Sequence, residues 1–320
     1  MPEPLLRIRN FSVYYPIGKT TFFSTAQSIR AVADFSLDLP SGSITGLVGE
    51  SGCGKSSLGR ALVGLVSDID GYCAFNGAQF DPRTSEEIRK QIQIIFQDPF
   101  GSLNPRQTIG QSLLEIEKVV FGKQNKDMVW DLLEAVQLPR ESFNRYPHEL
   151  SGGQRQRACI ARALAVNPQV LICDEIVSSL DVSLQAKIIN LLLDLRASKG
   201  LTLLFTTHDL KLVNAFCDQV AVMYLGRVVE QGTVGTVFSA PAHPYTIDLL
   251  SNEEVAVDPG KSAATHYSDS IEPFTGCVYQ HQCSKWNSVE KQNSWQCTTV
   301  TPERYQLNND HSIYCLAVEK

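Results

Sequence analysis

The sequence predicts an α/β fold built on a parallel sheet, and two observations point to it. Short apolar segments with the length and residue types of buried strands alternate along the chain with segments of helical periodicity. A glycine-rich turn also lies directly between a predicted strand, residues 44–48, and a predicted helix, residues 56–66. Strands that alternate with helices are typical of parallel sheets whose faces are covered by the helices.

The predicted elements continue this alternation along the chain. The first 40 residues alternate between apolar and polar side chains and are expected to be β-rich, with a long hairpin loop between residues 16 and 30. Further strands are predicted at residues 91–96, 170–173 and 201–206, and helices at residues 109–120, 128–136, 152–165 and 182–199. After Pro244 the pattern weakens, so residues 253–320 are expected to form a small separate appendage.

Composition narrows the class of protein. The 320-residue chain is 43% apolar and 19% charged, which is ordinary for a soluble globular protein. Its net charge of −6 argues against nucleic acid as the main partner, because that affinity depends on basic surface. No segment approaches the roughly 18 consecutive apolar residues of a membrane-spanning helix, and the N-terminus lacks a signal-peptide pattern. We therefore expect a cytoplasmic chain whose membrane association is peripheral.

The glycine-rich turn fits the pattern G-x-x-x-x-G-K-[ST] and is predicted to bind the phosphates of a nucleotide. Glycines allow the backbone N–H groups to point inward at phosphate oxygens, and the following helix N-terminus adds partial positive charge. The lysine is expected to reach the β- and γ-phosphates and the serine hydroxyl to bind Mg²⁺. This phosphate loop (residues 49–56) consists of Gly49, Glu50, Ser51, Gly52, Cys53, Gly54, Lys55 and Ser56.

Two carboxylates follow the apolar strand predicted at residues 170–173. Asp174 is placed to hold Mg²⁺ directly or through water, and Glu175 is placed to polarise an attacking water molecule. An Asp-Glu pair at the end of a strand is common in proteins, so this pair alone does not define a reaction.

A second glycine motif, Leu-Ser-Gly-Gly-Gln at residues 150–154, precedes a predicted helix and forms a second candidate anion site. One γ-phosphate does not need two such sites from the same subunit. We therefore expect this signature segment (residues 151–154) to face nucleotide bound to another subunit. Its residues are Ser151, Gly152, Gly153 and Gln154.

With these motifs in this order, the chain resembles the nucleotide-binding subunits of ABC transporters over about residues 5–245. The resemblance implies a P-loop NTPase core of the ABC ATPase type, with a mixed sheet and flanking helices. It further implies a nucleotide-binding domain over residues 1–245, a helical subdomain inserted at about residues 99–157, and an accessory region over residues 246–320. ATP and Mg²⁺ are the implied cofactors.

The same resemblance assigns roles to single residues. Glu175, His208 and Gln97 are implied in catalysis, with Gln97 also joining Ser56 and Asp174 around Mg²⁺. Tyr15 is implied to stack on adenine, although neighbouring Tyr14 is an alternative. Ser57, Gln97 and His208 are added to the phosphate loop as ATP contacts, and Asp181 is added to the signature segment that faces the partner's ATP.

Finer similarity is to the branch that imports oligopeptides, dipeptides and nickel. It rests on the phosphate loop, on Phe-Gln-Asp-Pro at residues 96–99 with Ser-Leu-Asn-Pro at 102–105, on Arg-Tyr-Pro-His-Glu at 145–149 and on His-Pro-Tyr-Thr at 243–246. The branch implies a subunit at the cytoplasmic face of the inner membrane that powers import of short peptides, or alternatively of nickel or a metal chelate. Cys53 and the insertion at residues 16–30 resemble the second, F-type ATPase of the pair. The implied partners are a second, non-identical ATPase subunit, two transmembrane permeases and an extracytoplasmic substrate-binding protein.

Four of the nine cysteines lie near the C-terminus, at Cys277, Cys283, Cys297 and Cys315. Four thiolates can hold a [4Fe–4S] cluster or Zn²⁺, and cysteines in a reducing compartment can also remain free. Some members of the branch hold a cluster here, so the resemblance implies one, although the spacing between Cys283 and Cys297 is longer than expected.

The rival interpretation is a soluble ABC-type ATPase that acts on ribosomes or DNA. Such chains usually carry two cassettes or a long coiled coil after the position of Gln97, and this sequence predicts neither. The acidic net charge also disfavours nucleic acid.

Overall fold

A computed structural model describes residues 3–17, 27–254, 275–284 and 294–316. The predicted hairpin loop, with Phe22 and Phe23, falls largely on residues 18–26 and so lies outside the described residues, as do parts of the predicted appendage. The N-terminal alternation forms two long antiparallel strands, β1 (Leu6–Ile17) and β2 (Gln27–Leu39). The pairing of β1 is shifted near Asn10, a residue with φ of 47°.

These strands belong to a four-stranded antiparallel sheet with β4 (Ile69–Phe75) and β5 (Ala78–Phe80), in the order β2-β1-β4-β5. The third strand of the chain, β3 (Ile44–Val48), lies in the other sheet and is followed by helix α1 (Lys55–Leu62). The small sheet is completed by β4 (Ile69–Phe75) and β5 (Ala78–Phe80), which were not predicted from the sequence.

The larger sheet contains β3 and seven further strands: β6 (Ile92–Ile95), β7 (Val170–Asp174), β8 (Thr202–Thr207), β9 (Gln219–Tyr224), β10 (Arg227–Thr233), β11 (Tyr305–Asn308) and β12 (His311–Ile313). Their order in the sheet is β11-β12-β10-β9-β3-β8-β7-β6. Its centre is parallel, as predicted, whereas β9, β10, β12 and β11 pair antiparallel, so the sheet is mixed. This confirms the mixed sheet that the resemblance implied.

Ten further helices accompany the sheets within the described residues. They are α2 (Glu86–Gln91), α3 (Pro99–Ser102), α4 (Ile109–Phe121), α5 (Lys126–Ala135), α6 (Gly152–Leu164), α7 (Val182–Lys199), α8 (Leu210–Phe216), α9 (Val234–Ser239), α10 (Pro244–Glu254) and α11 (Ser294–Thr299). The helices α3 to α6, with two short 3-10 turns, follow β6 where the helical subdomain was predicted. Buried Leu113, Val129 and Ile160 of these helices share one apolar cluster with Leu171 of β7, which fixes them against the sheet.

The C-terminal region is joined to the large sheet, because β12 pairs with β10. The Glu230 side chain of β10 is fully buried, and its carboxylate accepts hydrogen bonds from the backbone N–H groups of Ala242 and His243. His311 of β12 places Nε2 at 2.6 Å from Glu230 Oε1. Residues 311–313 of the predicted appendage therefore extend the large sheet, and this pairing links residues so far apart in sequence that it leaves no local signature.

We expect His311→Ala to lower the free energy of unfolding by about 2 kcal/mol or more, because a buried carboxylate loses one of its partners. Urea unfolding would measure this, and limited proteolysis would show whether residues 305–316 become accessible. His148→Ala, at an exposed histidine, is the matched control. An unfolding free energy equal to wild type would show that the Glu230–His311 contact does not hold β12.

In the part of the chain that the structure describes, no helix combines the length and the apolar character that crossing a membrane requires.

Candidate functional site

The phosphate loop joins β3 to α1, as predicted. Gly54 has φ of 109°, and a Cβ atom there would lie 2.3 Å from the carbonyl oxygen of Ala31. A Cβ atom at Gly49 would lie 2.1 Å from the carbonyl oxygen of Met223 in β9. Only glycine permits this conformation and this close packing, so the loop backbone is free to form a concave anion site.

Lys55 is 4% exposed and turns its ammonium group back onto the loop. Its Nζ atom donates to the carbonyl oxygens of Gly49 at 2.7 Å and Glu50 at 3.0 Å, and it lies 3.7 Å from Glu175 Oε1. Burial is also the main cause that raises the pKa of the neighbouring Cys53 thiol, which therefore stays neutral beside this ammonium. The Lys55 ammonium group is therefore held by oxygen atoms of the loop and of Glu175, which phosphate oxygens are able to replace.

Ser56 and Asp174 meet at the carboxyl edge of the sheet. Ser56 Oγ donates to Asp174 Oδ1 at 2.9 Å, and the hydroxyl of Thr206 donates to the same oxygen at 2.9 Å. Thr206 was not predicted as a site residue. It lies near the end of β8 and pairs in register with Asp174, and this position could have identified it as a neighbour of the carboxylate. A buried carboxylate with a serine hydroxyl beside it supplies the oxygen ligands that Mg²⁺ prefers, so these residues fit the ion.

Glu175 is the residue on which the other predicted catalytic side chains converge. Gln97 Nε2 donates to its Oε2 at 3.1 Å, and His208 Nδ1 lies 3.9 Å from its Oε1. Glu175 has φ of 48°, and its N–H donates to the carbonyl and the hydroxyl of Thr206. The structure therefore places Gln97 against the Glu175 carboxylate, whereas Ser56 and Asp174, which are predicted to bind Mg²⁺, are hydrogen-bonded to each other.

The signature segment lies at the start of α6. Ser151 caps this helix: its Oγ accepts from the N–H of Gln154, and Gln154 Oε1 accepts from the N–H of Ser151 at 3.0 Å. Ser151 and Gly152 are exposed, and a Cβ atom at Gly152 would meet no atom within 4 Å. Within the described residues, no hydrogen bond or ion pair links this segment to the phosphate loop.

The structure also describes three other residues that were predicted for the site, Asp181, Tyr15 and Tyr14. Asp181 caps α7, with Oδ1 accepting from the N–H of Leu184 at 3.0 Å. Tyr15 lies on β1 and packs partly against the apolar cluster that includes Cys53 and Leu58. The alternative, Tyr14, has the Arg30 guanidinium 5.8 Å from its ring centroid. The adenine contact stays a prediction.

The four C-terminal cysteines share one neighbourhood. Burial, together with the nearby thiols of Cys315, Cys297 and Cys283, raises the pKa of the Cys277 thiol to about 12. The Cys277 N–H also donates to the carbonyl oxygen of Cys297 at 2.7 Å. Across residues 3–17, 27–254, 275–284 and 294–316, however, no three His, Cys, Asp or Glu side chains are arranged to hold a metal ion.

Comparison with known protein families identifies two segments of the chain. Residues 32–178 match the ABC transporter family, and residues 229–288 match the family described as the oligopeptide/dipeptide transporter C-terminal region. The fold and the site define a P-loop ATPase domain of the ABC class. The chain contains the ABC transporter domain over residues 32–178 and, after it, the C-terminal region of oligopeptide/dipeptide transporters over residues 229–288.

Individual relatives agree with this assignment. The chain is 49% identical over 260 residues to the glutathione import ATP-binding protein GsiA of Escherichia coli K12, and 47% identical over 266 residues to that of Salmonella choleraesuis. These matches cover 79% and 81% of the chain but only 42% of each relative, so the chain spans less than half the length of these proteins.

Solved structures support the same fold. One is cbiO1 from Clostridium perfringens, part of the ABC transporter complex cbiONQ, with 25% identity, a TM-score of 0.62, and coverage of 79% of this chain and 96% of that one. Another is the ATP-binding cassette MJ0796 in a dimeric, post-hydrolysis state bound to ADP and Pi, with 25% identity, a TM-score of 0.60, and coverage of 72% and 98%.

Proposed function

We propose that this chain binds and hydrolyses ATP and thereby powers import of short peptides through a membrane ABC transporter. The observation that carries the proposal is the convergence of Lys55, Gln97 and His208 on the Glu175 carboxylate beside the phosphate loop. The oligopeptide/dipeptide C-terminal match supports peptides as the substrate class, and so does the glutathione importer named among the relatives, because glutathione is itself a short peptide.

In the proposed reaction, Lys55 leaves the Gly49 and Glu50 carbonyls for the β- and γ-phosphates of ATP. Ser56 and Asp174 would hold Mg²⁺, which neutralises charge on the phosphates. Glu175 accepts a proton from the attacking water, and the Gln97 amide orients the carboxylate through its hydrogen bond. His208, whose side chain is half exposed, is free to contact the γ-phosphate.

The second half of each working site is proposed to come from another subunit. The exposure of Ser151 and Gly152 supports this, because an anion site open to solvent can receive the nucleotide of a facing domain. Asp181 is assigned to the same face. The facing domain is proposed to belong to a second, non-identical ATPase, with this chain as the F-type member of the pair.

We expect Ser151→Ala to slow hydrolysis about a hundredfold while leaving nucleotide binding to the chain's own loop nearly unchanged, because one donor to the partner's phosphate is lost. Steady-state phosphate release from the assembled complex and equilibrium nucleotide binding would measure the two effects. Thr108→Ala is a matched control, since Thr108 caps α4 with the same reciprocal hydrogen bonds. An equal loss of turnover in both variants would assign the effect to helix capping.

Partners and location are part of the same proposal: two permease subunits, an extracytoplasmic binding protein, and attachment to the cytoplasmic face of the inner membrane. Purification of the tagged chain from detergent-solubilised membranes tests it. Recovery of two permeases and a second ATPase is expected, whereas recovery of ribosomes or DNA would favour the rival class. The ligand of the accompanying binding protein, a peptide or a nickel chelate, then decides the cargo.

The boundary at residue 245 and the [4Fe–4S] cluster are retained as proposals. The shared neighbourhood of the four thiols supports a cluster, but the described arrangement does not fit a metal ion as it stands, so no reaction step is assigned to it. An anaerobic preparation should contain iron and acid-labile sulfide and show the visible absorption of a cluster. A preparation with zinc alone, or with no metal, would contradict the cluster.

A further inference from the structure

Tyr245, in the His-Pro-Tyr-Thr segment, has no role in the proposed reaction, yet it touches the phosphate loop. Its hydroxyl oxygen accepts a hydrogen bond from the backbone N–H of Glu50, with an N–O distance of 3.2 Å. The side chain is 2% exposed. Burial raises the pKa of Tyr245, so the phenol stays neutral and accepts this bond without a charge.

The Glu50 peptide is the part of the loop that holds the Lys55 ammonium group. Its carbonyl oxygen accepts from Lys55 Nζ at 3.0 Å and from the N–H of Cys53 at 3.2 Å. The N–H and the carbonyl of this residue are therefore both used, one by Tyr245 and the other by the loop itself. A change at the Tyr245 hydroxyl acts directly on the peptide that positions Lys55.

The Tyr245 ring is held in place by two other tyrosines. Its centroid lies 4.5 Å from that of Tyr224 in β9 and 5.4 Å from that of Tyr279, and the Tyr224 and Tyr279 rings meet edge to face at 5.1 Å. Tyr279 belongs to the C-terminal region, and its hydroxyl donates to the carboxylate of Asp248 in α10. These rings share one apolar cluster with Val48, the residue immediately before the phosphate loop.

We propose that Tyr245 is a positioning residue for nucleotide binding: it keeps the phosphate loop in its binding conformation, and Tyr279 braces it from the C-terminal region. The inference rests on the proposed function only in requiring that the loop binds ATP. A loop that is less often in the competent conformation binds ATP more weakly by that fraction, whereas saturating ATP restores it. A positioning role for Tyr245 would therefore change the affinity for ATP without a matching change in kcat.

Tyr245→Phe tests this, because it keeps the buried ring and removes only the hydroxyl. We expect the Kd for ATP to rise about tenfold, with kcat at saturating ATP within about twofold of wild type, since one hydrogen bond that organises the loop is lost. Hydrogen exchange at the Glu50 amide should become faster. Tyr305→Phe, on the exposed strand β11, is the control and should change neither quantity.

Tyr279→Phe tests whether Tyr279 helps to hold Tyr245 in place, since this change removes only the hydrogen bond to Asp248. A smaller rise in the Kd for ATP is expected, and the double variant should fall short of the product of the single effects, because the two residues are in contact. A Tyr245→Phe protein with wild-type Kd and wild-type exchange at Glu50 overturns the inference. So does one that loses kcat with an unchanged Kd. A wild-type chain that binds ATP but drives no import contradicts the proposed function alone, whereas one that does not bind ATP overturns both.

Discussion

Replacing Glu175 with glutamine is expected to leave ATP binding intact and to slow hydrolysis by about 10²–10⁴-fold, the usual contribution of a general base. Glutamine has nearly the same shape as glutamate, but its amide does not accept a proton from water at neutral pH. The side chain is well placed for this task, because Gln97 donates to one oxygen, while Lys55 and His208 lie within 4 Å of the other. Nucleotide affinity depends on the loop and on Lys55, which the change does not remove.

Phosphate release at saturating ATP, measured beside equilibrium ATP binding, separates these two effects. Glu134→Gln, at an exposed position of α5, makes the same chemical change away from the site and should behave as wild type. Near-normal turnover in Glu175→Gln would remove Glu175 as the general base. A large loss of ATP affinity would instead assign it a role in holding the loop.

For Lys55→Ala we expect ATP affinity to fall by about a hundredfold or more, so that hydrolysis becomes undetectable at ordinary ATP concentrations. Truncating one member of a buried charge pair costs about 2–5 kcal/mol of binding, which corresponds to this range. Within the described residues, Lys55 is the only lysine or arginine whose charged group contacts both Glu175 and the loop carbonyls. The variant therefore removes this positive charge from the site.

Equilibrium binding of ATP and of ADP would measure the change, and thermal unfolding without nucleotide would show that the variant is folded. Lys118→Ala, on the exposed face of α4, controls for removal of a positive charge. An unchanged Kd in folded Lys55→Ala protein would show that residues 49–56 are not the nucleotide site.

The parts of the fold that were predicted from the sequence are those whose signals are local. Strand β3 and helix α7 have the predicted bounds, because each combines a clear apolar pattern with a glycine turn or an Asp cap. Strands β4, β5, β9, β10, β11 and β12 were not predicted. They are short or half exposed, or they depend on partners distant in sequence, such as β12 on β10.

The site residues also divide into those that local motifs predict and those whose contacts depend on residues distant in sequence. Lys55, Asp174 and Glu175 follow from motifs, and the structure brings them together at the carboxyl edge of the sheet. The bond from Gln97 to Glu175 and the Thr206 hydroxyl on Asp174 were not foreseen, because side-chain pairing across neighbouring strands leaves no spacing to recognise. The Tyr245–Glu50 contact joins residues 195 positions apart, which no local pattern encodes.

The pairing of β12 with β10 has a consequence for how the chain is made. Before residues 311–313 are synthesised, we expect residues 230–232 of β10 to have a bare edge whose N–H and carbonyl groups are open to other strands. The Glu230 carboxylate would also lack its histidine partner at that stage. A nascent or proteolysed chain without β12 is therefore expected to self-associate more readily than a chain in which β12 is paired.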